Sequence, residues 1–453
     1  MRLTLLSAVV LAAGLMFAVP SRGETIPPGG ADDTTDKKLA DMQEIKDAVG
    51  FFQNRDLDNA LKKLEEAAKK NADLPPPEIM MADISAQANL IQAFWTYLDK
   101  AAQKYPDDPE TFVMLGNVAL QQRRMTEADL LFNKAYALVA NFNKSVERRN
   151  KLITRILNGM AIVAESREDW AMAQQRLEEY LKQEPKNVVV LQRIGQMLFK
   201  QKKAKEALQK FKEAYEAKTA EVKVLPAEMQ LAILYAQYPD ADNAKKWAEA
   251  ALKSSPKDAN ALAAAANIYL MTGDFEEAKK RADEAIKVDE KSADAKALRA
   301  LIALFLKDYQ FAADTYEKIV MDDPKNFGAS DNLALALIEM KEDSKKKRAL
   351  DYAEKNAKTY EKTKAAPEAF TTLAWVLYKF DKRNNLEQAY RLVRQVLDNG
   401  MQMNPDAAYY CARILVDKER PKEAQGLLQQ ALKSTVPWTM KEDAKKLYED
   451  LTK

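Results

Sequence analysis

Residues 260–290 read NALAAAANIYLMTGDFEEAKKRADEAIKVDE. Two short stretches with helical spacing flank a turn at Met271-Thr272-Gly273-Asp274. Ala266 and Ala278 stand twelve residues apart, one on each stretch, where two antiparallel helices must touch and a larger side chain would hold them apart. Apolar residues at offsets of three, four and seven put a single stripe on each helix. One such hairpin cannot bury both of its apolar faces, so copies must stack.

The same arrangement recurs through the chain. Aligned on the small residue of the first helix, the series is Ala48, Ala82, Gly116, Ala161, Gly195, Ala232, Ala266, Ala300, Ala334, Ala374 and Ala412. Most steps are 34 residues, with longer ones of 45 (Gly116 to Ala161), 37 (Gly195 to Ala232), 40 and 38. The partner follows twelve residues later at Ala60, Ala128, Ala173, Ala207, Ala244, Ala278, Ala312 and Ala424, and fifteen later at Ala349 and Ala389. Phe94 stands in its place in one copy. Four residues on comes a larger side chain in most copies, such as Leu64, Phe132, Leu177 or Phe211, and three further on an alanine, such as Ala67, Ala135 or Ala285. Any one alanine is weak evidence; eleven in register are strong.

Unit ends carry their own signal. Pro185-Lys186-Asn187, Pro256-Lys257-Asp258 and Pro324-Lys325-Asn326 share one phase, with Pro106-Asp107-Asp108 and Pro405-Asp406 as variants. Proline stops the outgoing helix, and the Asn or Asp after it is expected to accept the free N–H groups opening the next.

Composition agrees with an all-α chain. Of 453 residues, 47% are hydrophobic and 30% charged, enough apolar surface for a core and too much for a disordered chain. Only 12 glycines and 17 prolines argue against a loop-rich or all-β fold. A net charge of +2 supplies no field to draw nucleic acid or anionic lipid. With no histidine, His-based catalysis and imidazole metal sites are excluded. One cysteine, Cys411, allows no internal disulfide and reads as a small buried hydrophobe.

At the N-terminus, MRLTLLSAVVLAAGLMFAVPSRG (residues 1–23) has the basic start, apolar run and small residues Ser21 and Gly23 of a signal peptide, with cleavage expected after Gly23. An uncleaved anchor is the alternative; no later segment has the ~20 apolar residues of a spanning helix. Residues 24–39 are polar and Pro/Gly-rich, expected as a disordered leader.

The repeat resembles the tetratricopeptide repeat, a 34-residue helix–turn–helix with the pattern W-x2-L-G-x2-Y…A-x3-F…P. The nearest copies are Val188–Thr219, with Leu191, Ile194, Gly195, Leu198, Ala207, Phe211 and Ala214, and Pro109–Ala140, with Phe112, Leu115, Gly116, Ala128, Phe132 and Ala135. The resemblance covers residues 40–437, the first two units being degenerate, and residues 438–453 resemble the family's solvating end helix. It implies a right-handed superhelical solenoid of about eleven units plus that capping helix, with a concave groove that binds a peptide or partner helix. It also implies that the fifth, ninth, twelfth and thirteenth positions of each first helix face the groove.

In chaperone-binding members a fifth-position Lys clamps a peptide carboxylate. Here the fifth positions run from Ile45 through Asn158, Gln192 and Asp331 to Tyr409, none basic, so no such clamp is expected. The ninth-position row instead offers Asn117, Gln196, Asn267, Leu301 and Leu335. Trp375, Tyr378, Tyr409 and Arg413 fall on groove positions of two adjacent units; they are either partner contacts or core packed on the next unit.

Lys345-Lys346-Lys347-Arg348 reads as a solvated run, with docking to an anionic surface as its rival. Two S-x-x-K matches, at Ser254 and Ser344, fall in expected turns without companion motifs, and nucleotide- and calcium-loop motifs are lacking. The expectation is therefore an exported, non-enzymatic scaffold of the periplasm or cell envelope, binding a protein or peptide in its groove. No cofactor, metal or nucleic acid is expected, and membrane contact only through residues 1–23 if they are retained. A membrane-tethered adaptor and a non-catalytic subunit of an envelope enzyme or export complex are the alternatives, and self-association stays open.

Overall fold

A computed structural model describes residues 42–219, 222–238 and 240–452. The expected signal peptide and the whole of the expected leader lie outside the described residues. Regular structure among the described residues is entirely helical, in twenty-three helices. Contacts divide the chain into two compact units that part at residues 219 and 220.

The first unit holds five helix pairs: α1 (Gln43–Gln53) with α2 (Leu57–Lys70), α3 (Pro77–Gln87) with α4 (Ile91–Lys104), α5 (Pro109–Gln121) with α6 (Met125–Ala140), α7 (Val146–Ser166) with α8 (Trp170–Tyr180), and α9 (Val188–Lys200) with α10 (Ala204–Glu216). The second unit holds six more: α11 (Ala227–Gln237) with α12 (Ala241–Ser254), α13 (Ala259–Met271) with α14 (Phe275–Val288), α15 (Ala293–Phe305) with α16 (Tyr309–Asp322), α17 (Phe327–Ile338) with α18 (Asp343–Tyr360), α19 (Ala366–Phe380) with α20 (Lys382–Asp398), and α21 (Pro405–Asp417) with α22 (Pro421–Ala431). A last helix, α23 (Lys441–Thr452), packs on α22 and α21.

Every small residue of the sequence register is buried. Ala48, Ala82, Ala161, Ala232, Ala266, Ala300, Ala334, Ala374 and Ala412 all stand at 0% exposure, and Gly116 and Gly195 are buried with them. Their partners from Ala60 to Ala424 are equally closed. At two places the small residue is a glycine with a phenylalanine ring against it, although Ala300 stands in the same register as Tyr316. Where the second helix offers Leu64, Leu98, Leu177 or Leu428, the first helix has Ala48, Ala82, Ala161 or Ala412. Where it offers Phe132 or Phe211, the first helix has Gly116 or Gly195. A β-carbon at those glycines would meet the ring at 2.8 and 2.4 Å, closer than carbons can approach. Phe132 also fills the space over Gly159 of α7, where a β-carbon would lie 2.3 Å from it.

The turn inside eight of the pairs has one form. Seven residues after the small residue the backbone turns left-handed, at Arg55, Asn89, Arg123, Glu168, Lys202, Gly273, Lys307 and Glu419. The next residue donates its N–H to the carbonyl five back, as in Asp56 to Phe51, Asp169 to Ala164, Asp274 to Tyr269 and Asp308 to Ala303, closing the helix end. Asp56, Asp169 and Asp308 then cap the following helix with their carboxylates. Only Gly273 carries the residue best suited to this conformation. Where the partner alanine comes fifteen residues on, the equivalent residues, Lys341 and Asp381, have no positive φ and the turn is longer.

A test follows from the open surroundings of Gly273, where an added β-carbon meets nothing within 4 Å. Gly273→Ala should lower unfolding free energy by about 1 kcal/mol through backbone strain alone, and Lys307→Gly should raise it by about as much. Urea midpoints would check both.

The first-helix caps follow the sequence with one correction. Asn187, Asp258, Asn326 and Asp108 each accept from an N–H in the first turn of the next helix. At Pro405-Asp406, however, the cap is Asn404, which accepts from Ala407 N at 2.8 Å. Pro405 opens α21 as its first residue, where its missing N–H costs nothing. Asp406 is freed to accept from Thr439 Oγ1 at 2.7 Å and Met440 N at 2.9 Å, fastening the start of α23. The S-x-x-K serines also shift: Ser254 is the last residue of α12, and Ser344 lies in the first turn of α18.

The 45-residue step has a structural cause. Helix α7 runs 21 residues, starting about two turns before its repeat position, and the added turns carry Arg148 and Leu152 inward. Arg148, 5% exposed, donates to Asp108 Oδ1 at 2.6 Å and to Glu110 Oε2 at 3.3 Å, both on or before α5. Its guanidinium lies 4.9 Å from the Phe142 ring, and Arg155 pairs with the other oxygen of Glu110. Burial works against the Glu110 charge, yet Arg155 and Arg148 outweigh it and hold this carboxyl below its ordinary range.

Candidate functional site

In the second unit the first helices of successive pairs touch one another, from α11 on α13 through to α19 on α21, and in the first unit α5 touches α7. Among the described residues no two second helices pack together in this way. The first-helix side of the second unit is therefore the more closely spaced, inner side, and the outward-facing first-helix residues of both units are the candidate contact surface.

That surface is a row one residue past each buried small residue. In the first unit it comprises Val49, Asp83, Asn117, Ile162 and Gln196; in the second, Ile233, Asn267, Leu301, Leu335, Trp375 and Arg413. All but Trp375 are partly open. The fifth-position row behaves differently from expectation: Ile79, Val113 and Met229 are at most 2% exposed, and Gln192, Asp331 and Thr371 are buried. Those six side chains are closed over, whereas Ile45, Asn158, Ala263, Ala297 and Tyr409 of the same row stay partly open beside the ninth positions.

The aromatic group near the C-terminus comes together as a stack. Trp375 lies against Tyr410 at 4.7 Å and Tyr378 at 5.5 Å between ring centroids, with Tyr409 tilted at 5.8 Å. Trp375 and Tyr378 are buried, while Tyr409 and Arg413 keep part of their surface open. Tyr378 donates to Asp417 at 2.6 Å, and Lys382 reaches the same carboxylate at 2.6 Å. Trp375 Nε1 is buried with no hydrogen-bond partner among the described residues.

Two features escaped the sequence reading. Tyr410, adjacent to the expected Tyr409, is the ring on which Trp375 stacks, and burial drives its phenol well above the ordinary value. Asp331 is 9% exposed, accepting from Thr372 Oγ1 at 2.9 Å, with Oδ1 unpartnered. Burial raises its carboxyl to about 8, Thr372 and Asn356 opposing and the Glu368 charge adding to the rise. Its only sequence signal was an acidic residue in an otherwise neutral row.

Chemistry has little to work with elsewhere. Burial pushes the Cys411 thiol up to about 12, far from the thiolate a nucleophile needs. The basic run lies in the first turns of α18, where Arg348 pairs with Glu317. Among the described residues no three His, Cys, Asp or Glu side chains gather as for a metal, and no helix is long and apolar enough to cross a membrane.

Residues 158–221 and 235–302 match family models of the tetratricopeptide repeat. Solved structures similar to this chain include a tetratricopeptide repeat protein from Parabacteroides merdae, at 15% identity and TM-score 0.36, covering 66% of this chain and 99% of that one. Yeast Tom70 is similar at 14% identity and TM-score 0.39, covering 92% and 96%. Pseudomonas aeruginosa pilF is similar at 20% identity and TM-score 0.35, covering 50% and 95%. No curated protein matches the sequence.

Proposed function

We propose that this chain, a tetratricopeptide-repeat protein, is a non-enzymatic scaffold whose inner first-helix surface holds a protein or peptide partner. The carrying observation is the ninth-position row: a recurring file of partly open Asn, Gln, Leu and Arg side chains beside buried small residues. Repeats that need only a small residue and an apolar stripe to fold leave that position free to be chosen for contact. The apparent signal peptide supports export, and with it a role in assembling or maintaining a complex of the periplasm or cell envelope. A tethered adaptor is the alternative if the N-terminal segment is retained. Intact mass separates them: a chain beginning at Glu24 supports export with cleavage, and one retaining residues 1–23 supports the tether.

Photo-crosslinking tests the contact surface. A photoreactive residue at Asn267 or Arg413 should capture a discrete partner in cells, and one at Glu276 on the second-helix side should not. Equal capture from Glu276, or none from the inner row, would sink the reading.

A further inference from the structure

The turns inside the third, fourth and fifth pairs lie side by side along one edge of the first unit. Helix α6 packs on α7, and α8 on α9, which sets the three turns next to one another. Side chains tie them together. Arg167, in the fourth turn, reaches Asp129 of α6 at 2.6 Å. Gln201, in the fifth, donates to the Trp170 carbonyl at 3.2 Å and to Gln174 Oε1 at 2.7 Å, both on α8.

This edge carries cations that the fold does not use. Arg124 pairs with Glu127 and Arg167 with Asp129, while the Lys200 ammonium lies 3.8 Å from the centre of the Trp170 ring. Asp169 is engaged as the cap of α8. That leaves Arg123, Lys202, Lys203 and Lys205, all exposed and with no side-chain partner among the described residues, against two exposed acids, Glu168 and Glu206. The chain's net charge of +2 conceals this local surplus. Two of the four also hold left-handed backbone, with φ 57° at Arg123 and 65° at Lys202. Neither is the residue that suits this conformation, so stability explains neither cation.

Apolar side chains stand beside them. Leu130, next to Asp129 on α6, is 69% exposed, and Met172, in the first turn of α8, is 38% exposed. Trp170 is partly open with Lys200 over its ring. Flexible cations interspersed with Leu, Met and Trp suit the boundary between lipid headgroups and acyl chains. Lysine is a mobile point charge, and three of the four free cations are lysines; they match the diffuse charge of a headgroup layer better than one fixed carboxylate. No helix among the described residues is long and apolar enough to cross a membrane, so the contact would be peripheral.

We propose that this edge of the first unit docks on an anionic lipid surface, with Arg123, Lys202, Lys203 and Lys205 among the headgroups and Leu130 and Met172 adding apolar contact. The proposal does not depend on the groove reading, because the inner row lies on the first helices and this edge on the turns.

Co-sedimentation of the full chain with vesicles tests it. Phosphatidylcholine vesicles in which about one-third of the lipid is phosphatidylglycerol should bind the chain ~10-fold tighter than pure phosphatidylcholine, with the difference fading as salt rises. A double variant, Arg123→Gly with Lys202→Gly, separates docking from folding. Relief of the left-handed strain should raise its urea midpoint, while the loss of two cations should weaken binding to the anionic vesicles ~10-fold. Lys445→Gln with Lys446→Gln, exposed on α23, should leave that binding unchanged. Any binding through residues 1–23 is common to all these chains and cancels in the comparison. Equal binding to both kinds of vesicle, or no greater loss in the glycine variant than in the α23 variant, overturns the proposal. Binding to poly-glutamate without binding to vesicles overturns it too and assigns the edge to an acidic protein. Crosslinking from Asn267 judges the groove reading separately.

Discussion

An Arg148→Ala chain should lose about 3–5 kcal/mol of stability, although the substitution touches no repeat-defining residue. Removing the guanidinium leaves Asp108 and Glu110, with side chains 1% and 6% exposed, facing each other with only the partly exposed Arg155 and Lys144 as cations. Uncompensated buried charge is among the few single changes that cost this much. Neutralising the partners should restore most of the loss. In an Asp108→Asn, Glu110→Gln, Arg148→Met chain, the amide oxygen introduced at position 108 can still cap α5, and the methionine fills the stem's volume. Acid should act in the same direction as the alanine. The Glu110 carboxyl sits below its ordinary value, so its contribution is present above that value and is lost as pH falls through the lowered one. Chemical denaturation of the three chains would show it; a loss below about 1 kcal/mol for Arg148→Ala would mean that water reaches the carboxylates.

Asp331→Asn should do the reverse and stabilise the protein in mild alkali. In the unfolded chain this carboxyl ionises near 3.8, whereas burial between α17 and α19 keeps it protonated up to about 8. Its contribution to stability is therefore full below 3.8 and is lost progressively as pH rises through 8. The slope is about 1.4 kcal/mol per pH step, so wild-type stability should fall by roughly 2–3 kcal/mol between pH 6 and 8. The variant, whose amide can still accept from Thr372, should show a flat profile over that interval and be the more stable chain at its upper end. The charged and titratable groups facing Asp331 are Glu368 on α19 and Tyr410 on α21, and neither supplies a cation to cancel the effect. A wild-type profile as flat as the variant's would show that Asp331 ionises freely.

These two positions also mark the limits of what could be read from the chain. Helix pairing was legible because it depends on local size and spacing: Ala266 and Ala278, or Gly195 and Phe211, announce a close approach wherever they occur in register. The turn was half legible. Gly273-Asp274 displays its left-handed conformation, but Arg55, Lys202 and Glu419 adopt the same one at a cost no pattern reveals. The Arg148 cluster was not legible, since it arises where α7 departs from the 34-residue step and brings together residues 38 and 40 positions apart. The sequence pattern makes Asp406 a cap for its own helix, yet it fastens another, because proline at the first helical position moves the capping role to Asn404. Of the expected contact residues, Asn117, Gln196, Asn267, Tyr409 and Arg413 lie partly open, whereas Trp375 and Tyr378 lie in the stack beneath. Helical period assigns a face; it does not say how far a neighbouring helix covers it.

Paired helices press together at a small residue, and at Gly116 and Gly195 the absence of a β-carbon makes room for the ring opposite. A double-mutant cycle at Gly195 and Phe211 measures that fit directly. Gly195→Ala should cost about 1–3 kcal/mol, because its β-carbon would lie 2.4 Å from a ring that is 1% exposed and has nowhere to move. In a Phe211→Leu background, which copies the Ala161–Leu177 and Ala412–Leu428 pairs elsewhere in the chain, the same change should cost little, giving a coupling of about 1–2 kcal/mol. Equal costs in both backgrounds would mean that the two helices do not meet there, and the stacked-pair architecture would have to be abandoned.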